Sequence, residues 1–307
     1  EHSGIHPRHI YELFMTDFVS LSTLRLLARQ RADMENSQFV TDTEMRRYIN
    51  RGYAELYDLI VTSANSEDYF LESSTVQLVS GTKTYSLPSD FYKGRGVDLT
   101  VGSDTIPLRR YNFTQRNVGS RYSVSRTMRY RFQGNVLAIN PKPSTADTLT
   151  VWYIPTPKKF LEVTPSAVSR GSTTTWTVPS GHGFVADDTI TGVNFLATDY
   201  NVDQTISSVT ATTIVTDLDS SALSDPTSYG SLETRLDFYA GWDEYVILCA
   251  AMDCLIKEES DITAIMVSKD QVRQRILAVA EMRDLGEPVT VTDISTYYTD
   301  FDYQNYL

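Results

Sequence analysis

The chain has 307 residues, 41% of them hydrophobic and 21% charged, with 27 basic and 39 acidic residues and a net charge of −12. That composition supports a packed core and excludes wholesale disorder. It argues against a protein that wraps nucleic acid, which needs surplus Lys and Arg. The length sets a prior of two domains.

No apolar run approaches the roughly 18 residues of a membrane span, and no signal peptide pattern opens the chain. Glu1-His2-Ser3 lacks an initiator Met, which points to trimming. Cys249 and Cys254 stand five apart in a helical pattern. They lie on different sides of the helix, which reads as two small buried hydrophobes in a reducing compartment.

Leu21, Leu24, Leu27 and Ala28 keep helical spacing. Thr41-Asp42-Thr43-Glu44 is a capping box that opens a second helix. Its apolar stripe is Met45, Ile49, Gly52, Leu56 and Leu59, with Gly52 predicting a close neighbour in mid-stripe. After Phe70 the period becomes two. Residues 75–79 and 83–87 flank Ser80-Gly81-Thr82, which predicts a hairpin. Strands follow at 96–101, 129–133, 136–139 and 148–154, with a tight turn at Gly134-Asn135 and a short helix over 111–118.

Composition shifts at Pro155-Thr156-Pro157. Between residues 162 and 231, 25 residues are Ser or Thr, and Arg170 is the one base. Strand-like pieces at 174–178, 188–190, 204–209 and 213–216 predict an inserted all-β domain, a sandwich or barrel. Helical period returns over 236–258. Asp261 caps a last helix from Ile262 to about Leu285, which Gly286 stops. The predicted fold class is α+β: a helical platform built from both ends of the chain, a β-rich middle and the small inserted β domain. The divisions are 1–161 for the N-terminal helices and hairpin region, 162–231 for the insertion, 232–286 for the C-terminal helices and 287–307 for a C-terminal arm.

No Gly-rich phosphate loop, GxSxG, HExxH or paired CxxC occurs. His182 reads as a turn residue, and Asp187-Asp188 and Asp217/Asp219 as solvated turn carboxylates. No catalytic residue, cofactor or metal ligand is predicted, so the chain is expected not to be an enzyme. The charge distribution is more informative. From Thr105 to Ala146 there are eight basic residues and no acidic one, leaving −20 on the remainder. Arg109, Arg110, Arg116, Arg121, Arg126, Arg129 and Arg131 interleave with Tyr111, Phe113, Tyr122, Tyr130 and Phe132. This pattern fits an interface to an acidic protein, a DNA contact or a solvated basic surface. The last 21 residues carry four acidic residues, no basic one, and Tyr297, Tyr298, Phe301, Tyr303 and Tyr306. These aromatics are candidate interface residues of an arm that orders on assembly.

The run Arg31-Ala32-Asp33-Met34-Glu35-Asn36-Ser37 is followed by Tyr48-Ile49-Asn50 and Tyr53-Ala54-Glu55-Leu56-Tyr57-Asp58-Leu59. Then come Asp68-Tyr69-Phe70, Ser80 to Lys93 and Arg95-Gly96-Val97. These stretches resemble the head-to-tail adaptor proteins of tailed bacteriophages. Gly181 to Ile190 and Tyr200 to Thr210 resemble small β modules of phage structural proteins. The resemblance implies a virion component at the head–tail junction, made in the host bacterial cytoplasm. It implies a homo-oligomeric ring, typically of twelve copies, below the portal protein. The ring extends the channel through which genomic DNA passes without specific binding, and docks tail nozzle or fibre proteins. Alternatives are a tail nozzle or fibre-anchoring protein, or a glycan- or receptor-binding module.

Overall fold

The structure is a computed structural model that describes residues 17–63, 67–116, 128–226, 228–238 and 241–281. β1 (Asp17–Ser20) leads into α1 (Leu21–Arg31) and α2 (Asp42–Thr62). Eight strands follow: β2 (Glu72–Gln77), β3 (Thr84–Ser86), β4 (Phe91–Val101), β5 (Asp104–Pro107), β6 (Arg109–Arg110), β7 (Arg129–Gln133), β8 (Val136–Asn140) and β9 (Thr148–Pro155). The insertion contributes β10 (Glu162–Val163), β11 (Ala167–Ser169), β12 (Thr174–Thr177), β13 (Thr189–Val193), β14 (Asp203–Val209) and β15 (Thr213–Thr216). β16 (Ser231–Phe238), α3 (Asp243–Glu258) and α4 (Thr263–Glu281) complete the described chain. The α+β class stands, with helices from both ends of the chain packed together.

α2 begins where the capping box predicts. The Thr41 hydroxyl accepts the Glu44 N–H, and the Glu44 carboxylate accepts the Thr41 N–H. Its stripe of Met45, Ile49, Gly52 and Leu56 is buried on the side that packs on α3; Leu59, predicted to continue it, is half-buried, and Ile60 takes the buried position. At Gly52 a Cβ would stand 2.8 Å from the Cys249 Cβ and 3.2 Å from the Val246 carbonyl oxygen. The missing side chain lets the two helix backbones approach. α3 also packs against α1 and α4. Its predicted start is corrected: Leu236 to Phe238 are the end of β16, and the helix opens at Asp243. Asp261 accepts the Thr263 N–H at the start of α4. The predicted stop at Gly286 lies outside the described residues.

The predicted hairpin across Gly81 is also corrected. The turn exists, with Gly81 at φ +80° and the Thr82 N–H bonded to the Val79 carbonyl. Its two arms, however, enter different sheets. β2 pairs with β9 in the sheet β2-β9-β4-β5, and β3 pairs with β8 in the sheet β3-β8-β7-β6. β8 and β9 are richer in large apolar residues than β2 or β3, so pairing with them buries more surface. The two sheets share one core of Tyr85, Val97, Leu99, Tyr130, Leu137, Ile139, Leu149 and Val151. The predicted short helix after Tyr111 is a single 3-10 turn, Phe113–Gln115.

The insertion strands do not close into a barrel. They form an open path, β1-β16-β13-β14-β15-β12-β11, with β10 beside β16. Trp176, Ile190, Tyr200, Ile206, Ile214 and Leu232 fill its core. β16 links the two regions. Ser231 to Thr234 pair with β13, and Arg235 to Phe238 pair with β1. One strand therefore belongs to the insertion at its start and to the helical platform at its end.

Candidate interaction surface

Five arginines of the basic block, Arg109, Arg110, Arg116, Arg129 and Arg131, lie at one edge of the sheet β3-β8-β7-β6. β7 alternates, as its period of two requires. Tyr130 and Phe132 pack into the shared core, and Arg129 and Arg131 face away from it. β6, only two residues long, is the edge strand and runs parallel to β7 with Arg109 in register with Arg129. Neighbouring strands lie about 4.8 Å apart, so two arginines leave adjacent strands at one level, a juxtaposition that like charges disfavour. Arg110 is in register with Tyr130 and exposed. Burial pushes the Tyr130 phenol above its ordinary pKa, and nearby Arg110 pulls it partly back.

The 3-10 turn after β6 adds an aromatic. The Tyr111 N–H bonds to the Tyr130 carbonyl at 3.0 Å, which fixes the turn on β7. Phe113 then stands 55% exposed. The Arg116 and Arg131 guanidiniums lie 4.4 and 5.4 Å from its ring centroid, within cation–π range. Among the described residues, none of Arg109, Arg110, Arg116, Arg129 and Arg131 forms an ion pair. The structure thus sets Arg116 and Arg131 on Phe113 and pairs Arg109 with Arg129 in register on the adjacent strands, with Arg110 next in the chain. Arg121 and Arg126 lie outside the described residues, as do Tyr297, Tyr298, Phe301, Tyr303 and Tyr306.

Other groups singled out in the sequence settle into structural contacts. His182 accepts the Phe184 N–H at Nδ1, which leaves Nε2 as the donor to the Thr210 carbonyl at 2.9 Å. Asp188 pairs with Lys158 at 2.9 Å, Asp217 accepts the Thr205 N–H, and Asp219 caps Ser221. Among the described residues, no group of three or more His, Cys, Asp or Glu is placed to hold a metal ion. Cys249 and Cys254 are buried, and burial pushes their thiols up to about 12 and about 11. No helix of the described residues is long and apolar enough to cross a membrane.

Sequence reasoning missed the polar joint between platform and insertion. Glu162 and Glu233 are cross-strand neighbours on β10 and β16. Arg25 of α1 meets Glu162 at 2.7 Å and Glu233 at 3.8 Å, while Arg46 of α2 donates to the Glu162 carbonyl at 3.3 Å. Glu233 also accepts the Ser22 N–H at 2.8 Å. Burial raises the Glu233 carboxyl; the Ser22 bond and Arg25 oppose that rise, and Glu162 adds to it. The available signal was Arg25 itself, four residues after Leu21 on the face that carries the α1 core residues. Above the joint, a cleft of about 460 Å³ separates the β9 end from the insertion, lined by Glu72, Asp90, Lys158, Lys159 and Asp188.

Six of the residues that carried the resemblance, Asn50, Glu55, Tyr57, Asp58, Phe70 and Tyr92, make framework contacts. Asn50 and Tyr57 bond to the chain that leaves β9, Glu55 accepts from Tyr245 and Lys269, and Asp58 accepts from Tyr92. Phe70 stacks on Tyr57 at 4.2 Å. A family model described as SU10 adaptor protein matches residues 21–187, more than half of the chain. The chain belongs to that phage adaptor family. As a member it is a structural component of the virion. The match runs from α1 through both four-stranded sheets, including the arginine surface, and into the insertion. A search of curated proteins finds no match.

Proposed function

We propose that this adaptor sits at the head-to-tail junction as a closed ring of copies, typically twelve, beneath the portal protein. The ring lengthens the DNA channel and presents surfaces to tail nozzle or fibre proteins. It acts by assembly rather than by catalysis. The observation that carries this reading is the family match over α1, α2 and both four-stranded sheets. The framework contacts support it, because they make each copy a preorganised block with little to reorder on association.

A ring of identical chains needs a heterologous contact that closes: one surface of each copy meets a different surface of the next. At −12 per chain, twelve copies carry roughly −144, a field that favours sliding of DNA over its capture. In this reading the insertion, joined to the platform through β16 and the Arg25 cluster, is the part that contacts tail components.

Negative-stain electron microscopy of the purified protein, and of particles, tests the reading. Rings, or a collar on the portal vertex, are the expected images. A protein found only as a monomer with affinity for glycans, and absent from the junction, overturns it in favour of a receptor-binding module.

A further inference from the structure

The geometry points to a particular occupant for the arginine surface: the acidic, aromatic segment 287–307 supplied by a neighbouring copy of this chain. The inference rests on the proposed ring only in requiring that copies meet.

The surface is electrostatically incomplete as it stands. Arg109 and Arg129 are in register on adjacent strands, and no carboxylate of the described residues pairs with them or with Arg116 or Arg131. The Arg131 Nε is buried without a hydrogen-bond partner. An anion laid across the exposed guanidiniums relieves the repulsion and supplies charge-assisted acceptors. Phe113, exposed between two guanidiniums, adds an apolar and π-bonding element that a phosphate backbone has no need of.

Segment 287–307 has the complementary chemistry. It contains Glu287, Asp293, Asp300 and Asp302 and no Lys or Arg, together with five aromatics from Tyr297 to Tyr306. Asp300 and Asp302 are two residues apart, the spacing of Arg129 and Arg131 on β7. Two extended segments with that shared period bring carboxylates to guanidiniums pair by pair. Arg is also the cation best suited to stacking on Tyr and Phe. The short edge strand β6 leaves room for such a segment beside it.

We assign the tail to a neighbour rather than to its own chain on the place where the described chain ends, and the second arm of the test separates the two. α4 packs on α3 and α2, in the helical layer, whereas the arginines sit on the edge of a sheet with a separate core. Residues 282–307 span up to roughly 85 Å when extended, enough to reach an adjacent copy. The tail and the arginine surface are different surfaces, so their contact is heterologous, as ring closure requires.

The test uses a fluorescently labelled peptide of residues 287–307 and full-length protein, read by anisotropy at concentrations below assembly. In the first arm, the protein's own tail carries Asp293→Lys, Asp300→Lys and Asp302→Lys, which removes competition. The peptide is expected to bind, and to bind at least tenfold more weakly when Arg109→Gln and Arg129→Gln are added. Both positions are exposed, and an unchanged melting temperature confirms folding. A peptide with Asn at 293, 300 and 302 is expected to lose binding to the same degree. Absence of binding, or indifference to the arginine substitutions, overturns the inference. So does tighter binding of a 20-base-pair DNA duplex at the same surface in about 0.15 M salt. In the second arm the tail is native. Equal affinity is expected, whereas a marked loss means that the tail docks on its own chain, which overturns supply from a neighbour. Rings seen by microscopy alongside a peptide that does not bind remove this contact and leave the adaptor reading standing.

Discussion

Asn50 holds Phe160 by both ends of its backbone: the Asn50 Nδ2 donates to the Phe160 carbonyl at 3.0 Å, and the Phe160 N–H donates to Asn50 Oδ1 at 2.7 Å. The side chain stands in for a strand partner where the chain crosses from β9 to the insertion. It is one of four α2 residues, at successive turns of one face, that hold this crossing. Arg46 bonds to the Glu162 carbonyl, Tyr57 to the Pro155 carbonyl, and Tyr53 packs edge-on against Phe160 at 5.6 Å. Phe160 itself is fully buried in the helical core. The segment after Pro155-Thr156-Pro157 is therefore a pinned strap. Replacing Asn50 with Ala leaves a buried N–H and C=O without partners, at a cost of about 2–4 kcal/mol. Asn50→Asp keeps the acceptor for the N–H but sets a carboxylate oxygen against the Phe160 carbonyl, so it is expected to destabilise as well. Urea unfolding of the two variants is the check, and a change below about 0.5 kcal/mol for Asn50→Ala counts against the strap.

Gly52→Ala reverses the usual sign of a glycine replacement. In an exposed helix the change gains about 1 kcal/mol. Here the new methyl meets the Cys249 Cβ and the Val246 carbonyl, both on α3. Neither is the far end of a flexible side chain, so α2 and α3 must separate. Overpacking of this kind costs about 1–3 kcal/mol. The expected result is a lower melting temperature at unchanged helix content by circular dichroism. A stabilised variant excludes the close approach.

Acid sensitivity has a source at the start of α2. Hydrogen bonds from Lys257, then from the Thr41 backbone and hydroxyl, hold the Glu44 carboxyl at about 2, against an ordinary 4.5. Lys257 also donates to the Phe39 carbonyl, so this carboxylate ties α3 to the loop before α2. A depressed carboxyl pKa favours the folded state above the unfolded value, and the contribution is lost as pH falls from about 4.5 through about 2. Glu44→Gln should flatten the melting temperature between those values relative to wild type. Parallel curves for the two proteins place the acid sensitivity elsewhere.

The two thiols are expected to be silent in the native protein. Both are buried, and burial raises both above the ordinary thiol value, so the nucleophilic thiolate is scarce at neutral pH. A thiol-reactive chromophore should label neither cysteine in the native state and both in denaturant. Prompt native labelling of Cys249 means that α3 separates from α2 more readily than the Gly52 packing implies.

What the sequence determined by itself is what short-range chemistry decides. The Thr41–Glu44 box placed the start of α2. The three- and four-residue spacing of Met45, Ile49 and Gly52 marked its α3-facing side, and the alternation in 129–133 separated Arg129 and Arg131 from Tyr130 and Phe132. Each rests on residues a few positions apart, where backbone geometry leaves little choice. Partner choice was decided only in the tertiary structure. Residues 75–79 and 83–87 satisfy every local rule for a hairpin, yet Thr75 to Gln77 pair with β9 and Thr84 to Ser86 with β8, because those strands bury more apolar surface. Leu236 to Phe238 fit a helical pattern but extend β16, whose backbone groups find partners in β1. Asn50 and Arg25 read as polar positions on amphipathic helices until the chain at Phe160 and Glu162 returns to them from more than a hundred residues away. The arginine cluster lies between these cases: its composition is visible along the chain, but the parallel pairing of β6 with β7 is what sets Arg109 beside Arg129. Long-range pairing follows from which surfaces are buried together, and no local spacing encodes that.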